Sequence, residues 1–469
     1  MALRVLVLLF VVGGSVEAVA QVGDGRIYVN RISFAGADFV DDEVLRQELL
    51  QLEGTHIDTV ALERSRQRLE RLPYINTVQI RQQPVAGVPD QVDLIITVTE
   101  LPAREYRLGG AYSEALGLSG FGYFVNQNVL GTGQQLLARL DGSEYQTQAR
   151  LFHTDPWAHA DGVSRTIGLT YQQFDQLTAD TTELDGDFLS ATLDYRYRIG
   201  ERQSINLGLG IEDAAWRVGS QSSLQLANWV ANNGDSQPLS NGTRTDAVIA
   251  EFRLGWHHNT LDQRIFPSLG LEQRFDLDVA IPGSDVEYVT ADYAFDKYWS
   301  SPRGWVTHLK TRLAYGTAYG SDTTALAPNR NWFAGGPDSV RGYRDGGLGP
   351  RDSLGNPYGG NLLVANQLEV FAPLPEKWQD RLRLGVFYDI GNVFSTEDIV
   401  FSDSSGDPID YGFDVSELRQ SAGIAAEIKL PVGLLKLSYG IPLNANDRTA
   451  NPFLRDEIDR FQIAFGVQF

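Results

Sequence analysis

The chain has 469 residues, 42% of them hydrophobic and 10% aromatic, which suffices for a folded core and two domains. Its net charge of −21 argues against a nucleic-acid partner, because phosphate binding needs clustered Lys and Arg. The absence of cysteine excludes disulfides, thiolate metal sites and a Cys nucleophile.

Met1–Ala20 begins with one positive charge, Arg4, then an apolar run from Val5 to Val12, then Ala18-Val19-Ala20. This is the pattern of a secretory signal peptide, and cleavage is expected to leave Gln21 first. The run is too short to span a bilayer, which needs about 20 residues. No later stretch approaches a transmembrane helix, but a membrane barrel hides its apolar surface in alternation.

Residues 26–100 predict a small α+β domain of order βααββ, in about 75 residues. Ile27–Ala35 is a strand ending at the Gly36 turn. Asp41-Asp42-Glu43 opens a helix with Val44, Leu45, Leu49 and Leu52 at helical spacing, stopped by Gly54. A second helix runs from Thr59 to Leu72 with Leu62, Leu69 and Leu72 on one face. Tyr74–Gln82 and Gln91–Thr99 are strands joined by a turn from Pro84 to Asp90.

From Arg104 to Phe469 helices nearly vanish, and segments of about 9–12 residues alternate apolar and polar, the length of a tilted membrane strand. In Leu271–Ile281, Leu271, Phe275, Leu277, Val279 and Ile281 oppose Glu272, Arg274, Asp276 and Asp278. Asp246–Trp256 repeats the arrangement, with Glu251 and Arg253 on the charged face. Trp157, Trp256, Trp299 and Trp332 are read as interfacial girdle residues. About 16 strands are expected, antiparallel, in a closed transmembrane β-barrel. The last, Arg460–Phe469, puts Phe461, Ile463, Phe465, Val467 and Phe469 on one face. Its free edge must pair, and the expected partner is the first strand, Arg104–Ser113.

A connection of about 40 residues, near 320–360, exceeds any ordinary loop. It contains GGPDSVRGYRDGGLGP, Gly335–Pro350. Beyond it, Leu362, Val364, Leu368 and Val370 face one way, and Ala365, Gln367 and Glu369 the other. In Arg381–Gly391, Leu382, Leu384, Val386, Tyr388 and Ile390 face lipid, while Arg383, Gly385 and Asp389 face inward. Two adjacent lumenal carboxylates, Glu369 and Asp389, repel unless a cation joins them. Arg341 is that cation, with a planar fork suited to two carboxylates, so the loop is expected to fold into the barrel.

Val340-Arg341-Gly342-Tyr343 resembles the VRG-aromatic signature of the barrel-assembly (BamA/TamA) family. Phe333–Gly336, Leu368-Glu369, Tyr388–Gly391, Asn128–Gly133, Leu261–Pro267 and Ile281–Tyr288 are similar to the same family, in order. Residues 21–101 resemble one POTRA domain of that family, and 102–469 its barrel. The resemblance implies a factor that folds and inserts β-barrel proteins into the outer membrane, with its POTRA domain in the periplasm. Unfolded barrel clients would add at a weak seam between first and last strands, beside outer-membrane lipid. Gly109 and Gly110, in the first strand, would weaken packing there, with Phe461, Phe465 and Phe469 on the other side of the seam. Periplasmic chaperones and accessory lipoproteins are implied partners of the POTRA domain, and Glu53 resembles such a lipoprotein contact. Two features depart from the family: room for only one POTRA domain, and Ala464 where Gly is usual.

No metal site, cofactor or bond chemistry is expected. His153, Asp155, His159 and Asp161 are read as a turn marked by Pro156 and Gly162. His257-His258, the tempting lipase position, sits at a strand end. Gly346–Gly349 lacks the strand and helix of a phosphate loop. A polypeptide translocator of the two-partner-secretion type is the alternative reading. It would want a plug helix, for which Gln21–Gly25 leaves no space, and two POTRA domains. A passive pore needs neither a POTRA domain nor a buried Arg341. A specialised paralogue with few clients remains within the family reading.

Overall fold

A computed structural model describes residues 27–113, 117–159, 162–178, 180–403, 406–430, 433–446 and 451–466. The expected signal peptide and Gln21 lie outside the described residues. The chain forms two compact units, one running to Ala103 and including Leu130–Gly133, the other comprising Arg104–Val129 and Gln134–Phe469.

The first unit follows the expected order: β1 (Tyr28–Ala35), α1 (Asp42–Gln47), α2 (Thr59–Glu70), β2 (Ile75–Pro84) and β3 (Gln91–Glu100). The sheet order is β1-β3-β2, with β3 parallel to β1 and antiparallel to β2. Period-two alternation on β3 buries Val92, Leu94, Ile96 and Val98 against Leu45, Leu62 and Leu69 of the helices. The Asp58 side chain caps α2 by accepting from the N–H groups of Val60 and Ala61.

The first helix is shorter than its apolar spacing predicts. Leu49 is half-buried and Leu52 is 62% exposed. Gln51 is the cause: its amide donates to Thr55 Oγ1 and His56 O and accepts from Asp58 N. Those bonds hold the chain in a turn from Gln51 to Asp58, which passes through Gly54 at φ +74°.

In the second unit, sixteen long antiparallel strands close into a barrel among the described residues, from Arg104–Ser113 to Phe461–Gly466. Adjacent strands pair in sequence order. The alternation works as expected: along Leu362–Phe371, Leu363, Ala365, Gln367, Glu369 and Phe371 are buried inside. Leu384, Val386 and Tyr388 of Leu382–Phe394 are exposed outside while Arg383, Phe387 and Asp389 are buried. Arg253 reaches Asp194 and Asp278, and His257 reaches Glu272, along one lumenal row.

Three expectations change. Several strands exceed the membrane length, up to 18 residues in Gly242–Asn259. At the barrel end remote from Arg104, their extensions enter a hydrophobic cap. Trp216, Val218, Ala247 and Ile249 pack there with Leu226, Trp229 and Val230 of α3 (Leu224–Asn232). These side chains continue the inward face of their strands, so the cap fills that end of the lumen with buried apolar groups. Second, Pro156 is not in a turn. The strand runs through Gln146–His159, and a register slip between Asp155 and His159 accommodates the missing N–H of proline. His153 meets Gln134 and Asp155 pairs with Arg165 there, while Asp161 lies outside the described residues. Third, Trp332 belongs to no girdle. It sits in the long connection, half-buried, and its indole N–H donates to Asp292 inside the barrel (3.3 Å).

Leu94 is fully buried at the centre of the three-stranded sheet. Leu94→Ala should destabilise this unit by about 2–5 kcal/mol. The expected outcome is faster pulse proteolysis of residues 27–103 in the intact chain, with the barrel's heat-modifiable gel migration unchanged.

Candidate functional site

The connection between the strands Val306–Ala318 and Leu362–Phe371 turns inward, as the phase argument requires. Its Ala334, Val340, Tyr343 and Leu348 are buried against Ala314, Leu363, Ala365 and Val393 of the wall. Apolar burial brings the loop in, and polar bonds fix its register.

Arg341 is 5% exposed. Its Nε and Nη2 each donate to Asp389 at 2.7 Å, and its Nη1 donates to Glu369 at 2.5 Å. Its backbone N–H also donates to Asp389, at 3.0 Å. The guanidinium carbon lies 3.6 Å from the centroid of the Phe387 ring, from the same strand as Asp389. The fork, the two carboxylates and the ring form one closed unit. Breaking such a buried pair by removing one member typically costs about 3–5 kcal/mol.

The rest of the motif is placed by shape. Val340 rests on Gly391, where an added Cβ would stand 3.2 Å from its side chain and 2.5 Å from Val364 O. Gly342 has φ +87°, and a Cβ there would meet Gly440 at 3.0 Å, so any other residue would be both strained and crowded. The Tyr343 hydroxyl donates to Gln420 O at 3.2 Å and lies 3.4 Å from Asn444 Oδ1.

Further members carried no sequence motif. His308 Nδ1 lies 3.0 Å from Glu369 and its Nε2 lies 2.8 Å from Asp296, so Glu369 serves both His308 and Arg341. Arg330, earlier in the loop, joins Glu212 (3.1 Å) and Glu251 (2.8 Å) on another part of the wall and lies over the Tyr288 ring. Arg344 pairs with Asp180 and Glu457. Strand phase alone puts His308 and Glu251 on the lumenal face; His308 finds its partners on the two neighbouring strands, and Glu251 finds Arg330 in the loop.

At the seam, every residue of Arg104–Ser113 pairs with Gly117–Asn126. Across to the last strand, the described residues show Phe465 paired with Tyr112. Phe461 and Ile463 face outward and are exposed; Phe469 lies outside the described residues. Gly109 leaves no empty place on the side of the next strand. The pairing around it has no slip, and the Phe121 ring fills its space, 2.3 Å from where a Cβ would stand. Gly110 faces Gly120. The predicted slackness at Gly109 is therefore taken up by an aromatic ring from the next strand.

Glu53 is engaged within its own domain. It accepts from Ile32 N–H of β1 (2.7 Å) and from Arg46 (3.2 Å). The backbone N–H, with help from Arg46, holds its carboxyl below the usual glutamate range.

A closed sixteen-strand barrel with an arginine-locked lumenal loop, preceded by a βααββ domain, defines a class of outer-membrane protein. Residues 128–469 match the Omp85 superfamily domain, and residues 27–101 match the POTRA family described as a surface antigen variable number repeat. The chain belongs to the Omp85 superfamily. It is 31% identical over 482 residues to outer membrane protein assembly factor BamA of Neisseria meningitidis serogroup B, covering 97% of this chain and 58% of that protein. The BamA of Neorickettsia risticii is 23% identical, over 90% of this chain and 54% of the relative. The crystal structure of BamA from Haemophilus ducreyi lacking POTRA domains 1-3 superposes with a TM-score of 0.79 at 28% identity, covering 94% of this chain and 85% of that one. The chain spans a little over half the length of these curated relatives. The barrel is an outer-membrane barrel, and the POTRA domain is periplasmic.

Arg341→Ala removes the cation that joins Glu369 and Asp389 and leaves His308 bonded to Glu369. The barrel should still fold, because its strands pair independently of the loop. The loop should become cleavable by added protease. Arg341→Lys should restore protection only in part, since an ammonium lacks the planar fork that serves both carboxylates.

Proposed function

We propose that this chain folds and inserts other β-barrel proteins into the outer membrane, acting on non-covalent structure with no cofactor and no bond chemistry. The observation that carries the reading is the contrast within one barrel. The loop is locked to the wall through Arg341, Glu369 and Asp389, while the seam shows the single described pair Phe465–Tyr112.

A nascent barrel strand cannot expose unpaired backbone to lipid, where each unsatisfied group costs several kcal/mol. A seam that opens offers the first strand's free edge as a template, and an unfolded client strand adds main chain to main chain. The assembly role of the BamA relatives supports this reading. The POTRA domain is the surface proposed for periplasmic chaperones and accessory lipoproteins. A lipoprotein contact at Glu53 would compete with the bonds from Ile32 and Arg46.

The test is client folding in liposomes. The chain is reconstituted, an unfolded outer-membrane barrel is added, and heat-modifiable migration follows its folding. Acceleration over protein-free liposomes, lost with Arg341→Ala, is expected. No acceleration by a correctly folded chain would overturn the reading.

A further inference from the structure

Among its described residues, the last strand carries one buried amide beside apolar neighbours. Phe461 and Ile463 point outward, so the alternation turns Gln462 into the lumen, where it is 1% exposed. Both ends of that amide are used, and both go to the loop. Gln462 Nε2 donates to Tyr343 O at 2.6 Å, and Gln462 Oε1 accepts from Gly342 N–H at 3.4 Å.

The neighbouring main chain makes the same connection. Gly342-Tyr343 pairs antiparallel with Ile458-Asp459, the stem of the last strand, and Arg344 N–H donates to Glu457 O at 2.9 Å. Gly342 lies against Gly440 of the preceding strand so closely that a Cβ on Gly440 would stand 2.7 Å from Gly342 N. Consecutive loop residues therefore hold different strands of one arc of the wall. Arg341 grips Glu369 and Asp389 on the inner wall, and Gly342-Tyr343 grips the seam strand.

We propose that Gln462 is a positioning residue that couples the last strand to the buried loop, so that the seam and the loop open together. If the last strand moves away, Tyr343 O and Gly342 N–H lose the Gln462 amide inside the lumen. Leaving such buried groups unsatisfied is unfavourable, and the loss resists opening. Conversely, a loop released from Arg341's carboxylates weakens the hold on the seam. Within the assembly role, a client strand that displaced the last strand would also free the loop; that consequence rests on the proposed function, while the coupling itself does not.

The experiment is hydrogen exchange on the reconstituted full chain, without client, comparing the segments 339–346 and 456–466. Gln462→Met keeps the length of the side chain and removes both hydrogen bonds. It should accelerate exchange in both segments by about three- to tenfold, the effect of one or two net hydrogen bonds on an opening equilibrium. In an Arg341→Ala background the same substitution should add much less, because the two links act on one opening. A purely local packing role would accelerate 456–466 and leave 339–346 unchanged. That outcome, no acceleration, or full additivity with Arg341→Ala would overturn the coupling. Should Gln462→Met not give a heat-modifiable barrel, Gln462→Glu carries the same test, since a carboxylate cannot donate to Tyr343 O. Because no client takes part, failure here is separate from failure of the liposome assay.

Discussion

The lumen forces one electrostatic problem on this structure. Strand alternation places Glu369 and Asp389 on neighbouring strands, both inward, and the Asp389 side chain is fully buried. Two desolvated carboxylates so placed demand a cation that joins them, and the wall's own His308 bonds Glu369 and Asp296. Arg341 meets the demand from a loop. The position of some forty loop residues therefore depends on a pair of acids in the wall. Arginine suits the site better than lysine, since three guanidinium nitrogens are bonded at once and the flat cation stacks on Phe387. A buried ion pair is weak ground for overall stability, because an apolar replacement of all members is often neutral. Its consequence here is register: one guanidinium bonds both acids and so sets where the loop lies along the wall.

Once that register is set, the other contacts follow. Val340 drops onto Gly391, Gly342 onto Gly440, and Tyr343 extends to Gln420. Arg330 and Arg344 secure the loop on either side of Arg341, each through two further carboxylates. His308 shares Glu369 and holds Asp296 beyond it, extending the network along the wall. The loop motif thus ties the strands Leu362–Phe371 and Leu382–Phe394 to the last strand. The seam is where a barrel edge can accept another chain, and Gln462 brings the state of that edge to the loop.

Much of this was legible in the sequence because strand period two is rigid. Once Leu362–Phe371 and Leu382–Phe394 are read as strands, the facing of Glu369 and Asp389 follows, and Arg341 follows from charge. What escaped the sequence depends on side-chain contacts that the apolar pattern does not encode. The early end of the first helix comes from the Gln51 amide serving the turn at Thr55–Asp58, which outweighs the helical spacing of Leu49 and Leu52. Trp332 looked like a girdle residue because aromatic type does not distinguish lipid from lumen. Gly109 looked slack because its filler, Phe121, lies on another strand. Pro156 looked like a turn because a bulge leaves no mark on composition. Gln462 was one polar residue in an apolar strand, with partners some 120 positions away.

The central claim is that the Arg341 pair, rather than apolar packing alone, keeps the loop inside the barrel. The chain has no cysteine, so one introduced thiol reports cleanly. Leu348 is 1% exposed in the loop, and Leu348→Cys puts a small thiol in its place. The measurement is the rate of its alkylation by a water-soluble maleimide in reconstituted protein. Slow labelling, with at least a tenfold acceleration (about 1.4 kcal/mol of pinning) when Arg341→Ala is added, is the predicted result. Equal rates in the two proteins would contradict the claim and assign the loop's position to its apolar contacts.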